Sequence, residues 1–369
     1  MYASEVRRIL VSILIATLIT SGTPTYALHN LQKQANSLSL ADPGLLVLDP
    51  VSGKSLVESG ADTKRVPASV LKLFTTTVVL SNFDPNTRYV TSIWSTNNER
   101  EFLIRGALDP FLTPYKSVSD KYGHGYLMGI INKANPSDYR KFTLAYTDLY
   151  PGDIKNLARA FRDKRMKVTL KKVSQAQASE LGISEIAQLT SKPLSKMISH
   201  TILWSDNTVA DRLAKAVTRY VGNPTTGSGI TKTYKDSLNI LGIPTKDLVI
   251  KDGSGLSKKN RITARATVEL LRAIRNNPQY ASIYEGLPIS GETGTLKSRF
   301  SKAPLAISHV HAKTGWVNRS VTMAGYAESG DKEYVFAILA DGISPTLKSR
   351  NAARRAMDKL LETVVMGDH

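Results

Sequence analysis

The chain of 369 residues contains no cysteine. Disulfides, thiolate metal centres and a cysteine nucleophile are thereby excluded. Acidic residues are in deficit, 31 against 49 basic ones, and aromatic residues make up only 7%. No apolar run approaches the roughly 20 residues of a membrane-spanning helix. There is no internal repeat and no low-complexity tract. What remains is 41% hydrophobic and 22% charged, a balance neither disordered nor fibrous, in a chain longer than one compact unit needs.

The longest apolar run, residues 9–20, follows Arg7 and Arg8 and precedes small residues at Thr25 and Ala27. That pattern predicts a signal peptide over residues 1–27, cleaved near Ala27 rather than kept as an anchor. The mature chain is then expected in the periplasm or the extracellular wall space. Lacking disulfides, it must rest on its core, which fits a bacterial exported protein. The net charge is +18, and the first 27 residues hold two arginines and one glutamate, so the mature chain carries about +17. Such a charge favours anionic polymers. Export argues against nucleic acid, and the cluster Arg162, Lys164, Arg165, Lys167, Lys171 and Lys172 lacks interleaved aromatics. It reads as a solvated basic face, or as a contact to an anionic wall polymer.

Residues 44–48 and 54–58 are predicted strands, joined by Asp49-Pro50-Val51-Ser52-Gly53 as a turn. A helix is predicted from Pro67, with Val70, Leu71, Phe74 and Val78 at helical spacing. Residues 84–185 hold strand-like pieces at 89–94 and 102–104, and are expected to form an inserted accessory subdomain of mixed structure. Further helices are predicted over 208–220, capped by Asp206 or Asn207, and from Thr263 to about residue 275. Residues 308–312 read as a strand, 320–327 and 333–340 as a hairpin, and 347–365 as a basic amphipathic helix. The expected fold is α/β (α+β): an antiparallel sheet flanked by helices, built from residues 28–83 and 186–369 and interrupted by the insert.

Three short patterns carry chemistry. Ser-x-x-Lys recurs by chance in chains of this length, and it occurs twice, at Ser69-Val70-Leu71-Lys72 and Ser329-Gly330-Asp331-Lys332. The second falls in a predicted hairpin turn. The first falls in the first turn of a helix, where residues three apart share a face and the helix N-terminus favours a developing oxyanion. Ser205-Asp206-Asn207 stands just before a helix, and Lys313-Thr314-Gly315 directly after a predicted strand. Each alone reads as a cap or a turn. In this order, each in its own local setting, they resemble the signature of active-site serine penicillin-binding proteins and serine β-lactamases.

Two longer stretches narrow the resemblance. Asp252-Gly253-Ser254-Gly255-Leu256-Ser257 and Gly294-Thr295-Leu296 with Arg299-Phe300 resemble the low-molecular-mass class C penicillin-binding proteins, D-alanyl-D-alanine carboxypeptidases and endopeptidases. The sequence departs from that family in a shortened insert, in Gly106-Ala107-Leu108-Asp109-Pro110, at Thr293, and at Trp316, where Ser or Thr is commoner. The resemblance implies a β-lactamase/transpeptidase-like domain acting on peptidoglycan stem peptides and acylated by β-lactam antibiotics. It implies Ser69 as nucleophile, Lys72 as its base and Ser205 as proton relay to the leaving D-alanine. Asn207 would hold the substrate amide, Lys313 and Thr314 would bind the terminal carboxylate, Gly315 would be a further substrate-binding residue, and the Ser69 and Trp316 amides would form the oxyanion hole. Burial and a second cation nearby both depress a lysine pKa, and Lys313 would be that cation for Lys72 if the fold brings it close. The alternatives are a serine β-lactamase, disfavoured because no Glu-x-x-Leu-Asn run is present, and a non-catalytic wall-binding protein. His309 and His311 are expected to share one strand face structurally, since no carboxylate stands near them in sequence. No metal or cofactor is inferred.

Overall fold

The computed structural model describes residues 23–367. The apolar run of the predicted signal peptide lies outside these residues, and its expected cleavage position falls in the helix Thr23–Ala35. The strands run, in chain order, β1 (Gly44–Leu48), β2 (Ser55–Ser59), β3 (Val90–Ser95), β4 (Glu101–Arg105), β5 (Leu112–Thr113), β6 (Gly125–Tyr126), β7 (Lys141–Thr147), β8 (Lys167–Lys172), β9 (Glu185–Thr190), β10 (Val310–Val317), β11 (Ser320–Ser329) and β12 (Lys332–Asp341). They divide between two compact units. One comprises the described residues up to Asn82 and from Thr201 onward; the other is Phe83–His200.

The first unit holds an antiparallel sheet in the order β10-β11-β12-β1-β2. Strand β1 is an interior strand, between β12 and β2, and is buried throughout, which its unbroken apolar run requires. Alternation sorts the side chains. Leu45, Val47, Met323, Phe336 and Ile338 face a core shared with Leu31, Met357, Leu360 and Leu361, and the register pairs Leu45 with Ile338 and Val47 with Phe336. That face is covered by the helices Thr23–Ala35 and Leu347–Met366, tied together where Gln34 Nε2 donates to Thr363 Oγ1 at 3.0 Å. The helix Ala264–Ile274, capped by the Thr263 side chain, packs on β1 and β12, and Tyr326 of β11 donates its hydroxyl to Leu271 O at 2.9 Å. Helix Leu71–Asn82 lies beside Asn207–Tyr220 and Gly227–Ile240.

The second unit holds a mixed sheet, β8-β7-β4-β3-β9, with parallel pairs β4–β7 and β7–β8, over its own core of Ile104, Leu127, Met128, Leu144 and Phe161. It extends beyond residue 185, where the sequence placed its end. Strand β9 pairs antiparallel with β3, Val90 opposite Thr190, and so closes the sheet of the insert. The basic cluster lies at the end of helix Pro151–Asp163 and along the outermost strand β8.

Two local readings change. The strand expected over 308–312 is Val310–Val317, so Lys313-Thr314-Gly315 lies inside a strand and not after it. The hairpin also supplies a carboxylate that sequence distance hid. Glu328 pairs with His309 and lies 3.8 Å from its Nδ1 and 3.7 Å from His311 Nε2, while His311 stacks on Tyr284.

Candidate active site

Ser69 sits in the 3-10 turn Ala68–Val70, which leads directly into the helix Leu71–Asn82. The turn is fixed from the sheet, where Ser320 Oγ donates to Val66 O at 2.6 Å and Thr322 Oγ1 to Pro67 O at 2.7 Å. From the other side Gly255, at φ +87°, comes so close that a Cβ there would lie 1.8 Å from Ala68 O. Ala68 and Ser205 both adopt left-handed backbone, φ 47° and 58°. Such conformations cost about 1–3 kcal/mol in non-glycine residues and persist where surroundings over-determine them.

One turn after Ser69, Lys72 is fully buried. Its Nζ lies 2.9 Å from Ser69 Oγ, 2.7 Å from Asn207 Oδ1 and 2.6 Å from Ser254 O. Nζ donates to all three oxygens, which satisfies the three N–H groups of the ammonium; once one proton is lost, two N–H groups can stay on the carbonyls and the lone pair can turn to the Ser69 hydroxyl. Burial pushes the Lys72 pKa down to about 8, against the opposing pull of Asp211, Asp206 and Asp252. Asp206 caps the helix Asn207–Tyr220 by accepting from Val209 N, which starts the helix at Asn207 and aims its amide at Lys72.

The loop after residue 251 delivers the Ser254 carbonyl. Asp211 Oδ1 accepts from Gly253 N and Ser254 N at 2.9 and 2.8 Å. Asp252 accepts from Gly255 N, Ser257 N and Asn260 Nδ2 at 2.8, 2.6 and 2.9 Å. The Asp-Gly-Ser-Gly-Leu-Ser stretch is thus a backbone scaffold that packs on the turn of Ser69 and on Lys72.

Strand β10 supplies the opposite wall. It is an edge strand, and residues 288–290 cover its edge only as far as Ala312. Alternation then sorts the motif. Lys313 and Gly315 face the Ser69 side, and a Cβ on Gly315 would lie 2.8 Å from Ser69 N and 2.2 Å from Thr322 Oγ1. Thr314 and Trp316 point the other way. Thr314 Oγ1 meets Thr295 Oγ1 at 2.7 Å, and the half-exposed Trp316 ring carries the Arg350 guanidinium 4.2 Å from its centroid. Lys313 is fully buried and donates to Thr314 O at 2.8 Å. Burial, and then the charge of Lys72, hold its pKa well below the usual lysine range. Of the two causes expected to depress Lys72, burial acts on it, while the coupling between the two lysines falls on Lys313 and drives that amine toward neutrality.

Ser69, Ser205, Thr314, Gly315 and Trp316 line one cavity of about 250 Å³. Lys72 reaches Ser69 and Asn207, and Lys313 hydrogen-bonds the Thr314 carbonyl, so the structure gathers the site residues that the resemblance implied. The competing pair, Ser329 and Lys332, faces itself across the β11–β12 turn. Four further lining residues went unassigned: Thr295, Ser298, Arg299 and Arg354. The first three stand in or beside the Gly-Thr-Leu stretch, so a signal existed. Arg354, on the C-terminal helix, had none beyond its charge.

Residues 25–169 and 127–364 match the D-Ala-D-Ala carboxypeptidase 3 (S13) family. The chain is 26% identical over 380 residues to "Carboxypeptidase DacB" of Mycolicibacterium smegmatis, covering 88% of this chain and 81% of that one. It is 32% identical over 168 residues to "D-alanyl-D-alanine carboxypeptidase" of Actinomadura sp., covering 43% and 30%. Its fold resembles penicillin binding protein 4 (dacB) from Haemophilus influenzae, with a TM-score of 0.69 at 16% identity, over 91% of this chain and 98% of that one.

Proposed function

Because the chain belongs to the D-Ala-D-Ala carboxypeptidase 3 (S13) family, we propose that it hydrolyses the terminal D-Ala-D-Ala bond of peptidoglycan stem peptides through an acyl-enzyme on Ser69. The carrying observation is the Lys72 amine, buried, depressed to about 8 and 2.9 Å from the Ser69 hydroxyl.

In acylation Ser69 Oγ bonds to the carbonyl carbon while its proton passes to Lys72. The resulting oxyanion is held by the amides of Ser69 and Trp316, each such donor contributing about 3 kcal/mol. The C–N bond then breaks, and the leaving D-alanine takes the proton from Lys72 through Ser205. Water adds to the ester carbonyl carbon as its proton passes to Lys72; the C–Oγ bond then breaks, Lys72 returns that proton to Ser69 Oγ, and the shortened peptide leaves with its new carboxyl terminus. Asn207 holds both Lys72 and the substrate amide, and the uncovered edge of β10 pairs with the extended peptide backbone. A cross-linked peptide offers the same D-Ala acyl group, so endopeptidase cleavage uses the same steps. β-Lactams acylate Ser69 likewise.

The chain is proposed to act outside the cytoplasmic membrane; the charged start, apolar run and small residues of its first 27 residues support export. Sequencing the N-terminus of the protein from the cell envelope tests this, and an intact Met1 in the cytosol overturns it.

Fluorescent penicillin is expected to label the purified protein stably, and the Ser69→Ala protein not at all. An unlabelled wild type removes the enzymatic reading and favours a wall-binding protein. Rapid turnover of the label favours a β-lactamase. Release of D-alanine from a pentapeptide, against cutting of a cross-linked dimer, separates the two peptidase activities.

A further inference from the structure

We propose that Arg354 binds the carboxylate that adjoins the scissile bond of the substrate, giving the site its preference for a free D-amino-acid terminus. This rests on the peptidase reading above and names the group that reads the leaving residue.

Arg354 lines the same cavity as Ser69 and Trp316 and is half-buried. Its neighbours are already occupied. Arg299 Nη2 bonds Asp358 and donates to Arg354 O at 3.0 Å, and Arg350 lies on the Trp316 ring. Among the described residues the Arg354 guanidinium has no hydrogen-bond partner and no ion pair. Burial, and then the charges of Arg299 and Arg350, lowers its pKa, partly offset by Asp358. The wall of the cavity therefore carries cationic charge that the protein does not neutralise.

The usual source of a cation on this strand is not available. The Lys313 amine is buried and committed to the Thr314 carbonyl. A carboxylate leaving water needs a full positive partner and hydrogen bonds to its remaining lone pairs. A guanidinium fork supplies the charge in bidentate geometry. The Thr295 and Thr314 hydroxyls, 2.7 Å apart, and Ser298 supply further donors in the same cavity.

The test compares the full-length protein with Arg354→Ala, Arg354→Gln and Arg354→Lys on an acyl-D-Ala-D-Ala peptide and on its C-terminal amide. Loss of one charge-assisted contact should lower the acid-over-amide preference in kcat/KM about 10–100-fold in the Ala and Gln variants. The Lys variant should recover part of it, and penicillin labelling should slow in parallel. An equal loss on acid and amide overturns the proposal, because it marks a structural role. An unchanged preference in the Gln variant overturns it too. A wild type that neither takes the label nor cleaves the acid removes the peptidase reading itself, a result distinct from either.

Discussion

At Lys72 the deciding quantity is protonation. A pKa of about 8 leaves a sizeable neutral fraction at physiological pH, where an ordinary lysine near 10.4 has almost none. The second-order rate of penicillin acylation should therefore rise with pH and level off above about 8. A flat profile between pH 6 and 9 rules Lys72 out as the base. Lys72→Met should lower that rate about 10²–10⁴-fold with the circular dichroism spectrum preserved. The same depression affects stability. Between about 8 and 10.4 the unfolded chain holds a Lys72 proton that the fold has released, so this group's contribution grows as pH rises through that window. Gly315 is constrained by space. A methyl group there meets Ser69 N and Thr322 Oγ1, so Gly315→Ala should abolish labelling at a far smaller cost in Tm. Full labelling of that variant contradicts the packing of β10 on the nucleophile turn.

Elements of structure hold these residues by polar contacts made far from the cavity. The loop after residue 251 depends on Asp252, which accepts three hydrogen bonds. Asp252→Ala should cost about 2–4 kcal/mol, since each orphaned buried donor carries its own penalty. It should also slow acylation, because the Ser254 carbonyl loses its position beside Lys72. Thr263→Ala removes the cap of helix Ala264–Ile274 and should cost about 1 kcal/mol while leaving acylation unchanged. Chemical denaturation and penicillin labelling, run together, separate the two. The C-terminal helix is pinned to the Gly-Thr-Leu stretch by the buried pair Arg299–Asp358. Asp358→Ala leaves a buried guanidinium without its partner and should lower stability by about 3–5 kcal/mol.

In the whole molecule, Lys72 reaches a side chain 135 positions away and a backbone carbonyl 182 positions away. Local chemistry made much of this legible beforehand. Short apolar runs at both ends of the chain gave the strands of the sheet, because its interior strands are buried on both faces by helices. Caps gave helix starts at Asp206 and Thr263, because a side-chain oxygen there satisfies an otherwise free amide. The Ser69 motif stood apart from its twin at Ser329 through its helix-start setting. Other features depend on contacts that no local pattern encodes. Strand β9 belongs to the insert because it pairs with β3, nearly a hundred residues earlier. The Lys-Thr-Gly motif lies within its strand because Gly315 must pass close to Ser69, where a side chain cannot fit. The sequence by itself determined the family and its fold, and it singled out Ser69 and Lys72, because the motifs that carry the resemblance are read from residue type, order and local setting. Only the tertiary structure decided the charge of the site. Burial lowers the Lys72 pKa, burial and the charge of Lys72 drive Lys313 toward neutrality, and the fold brings Arg354 to the cavity as a positive group without a partner.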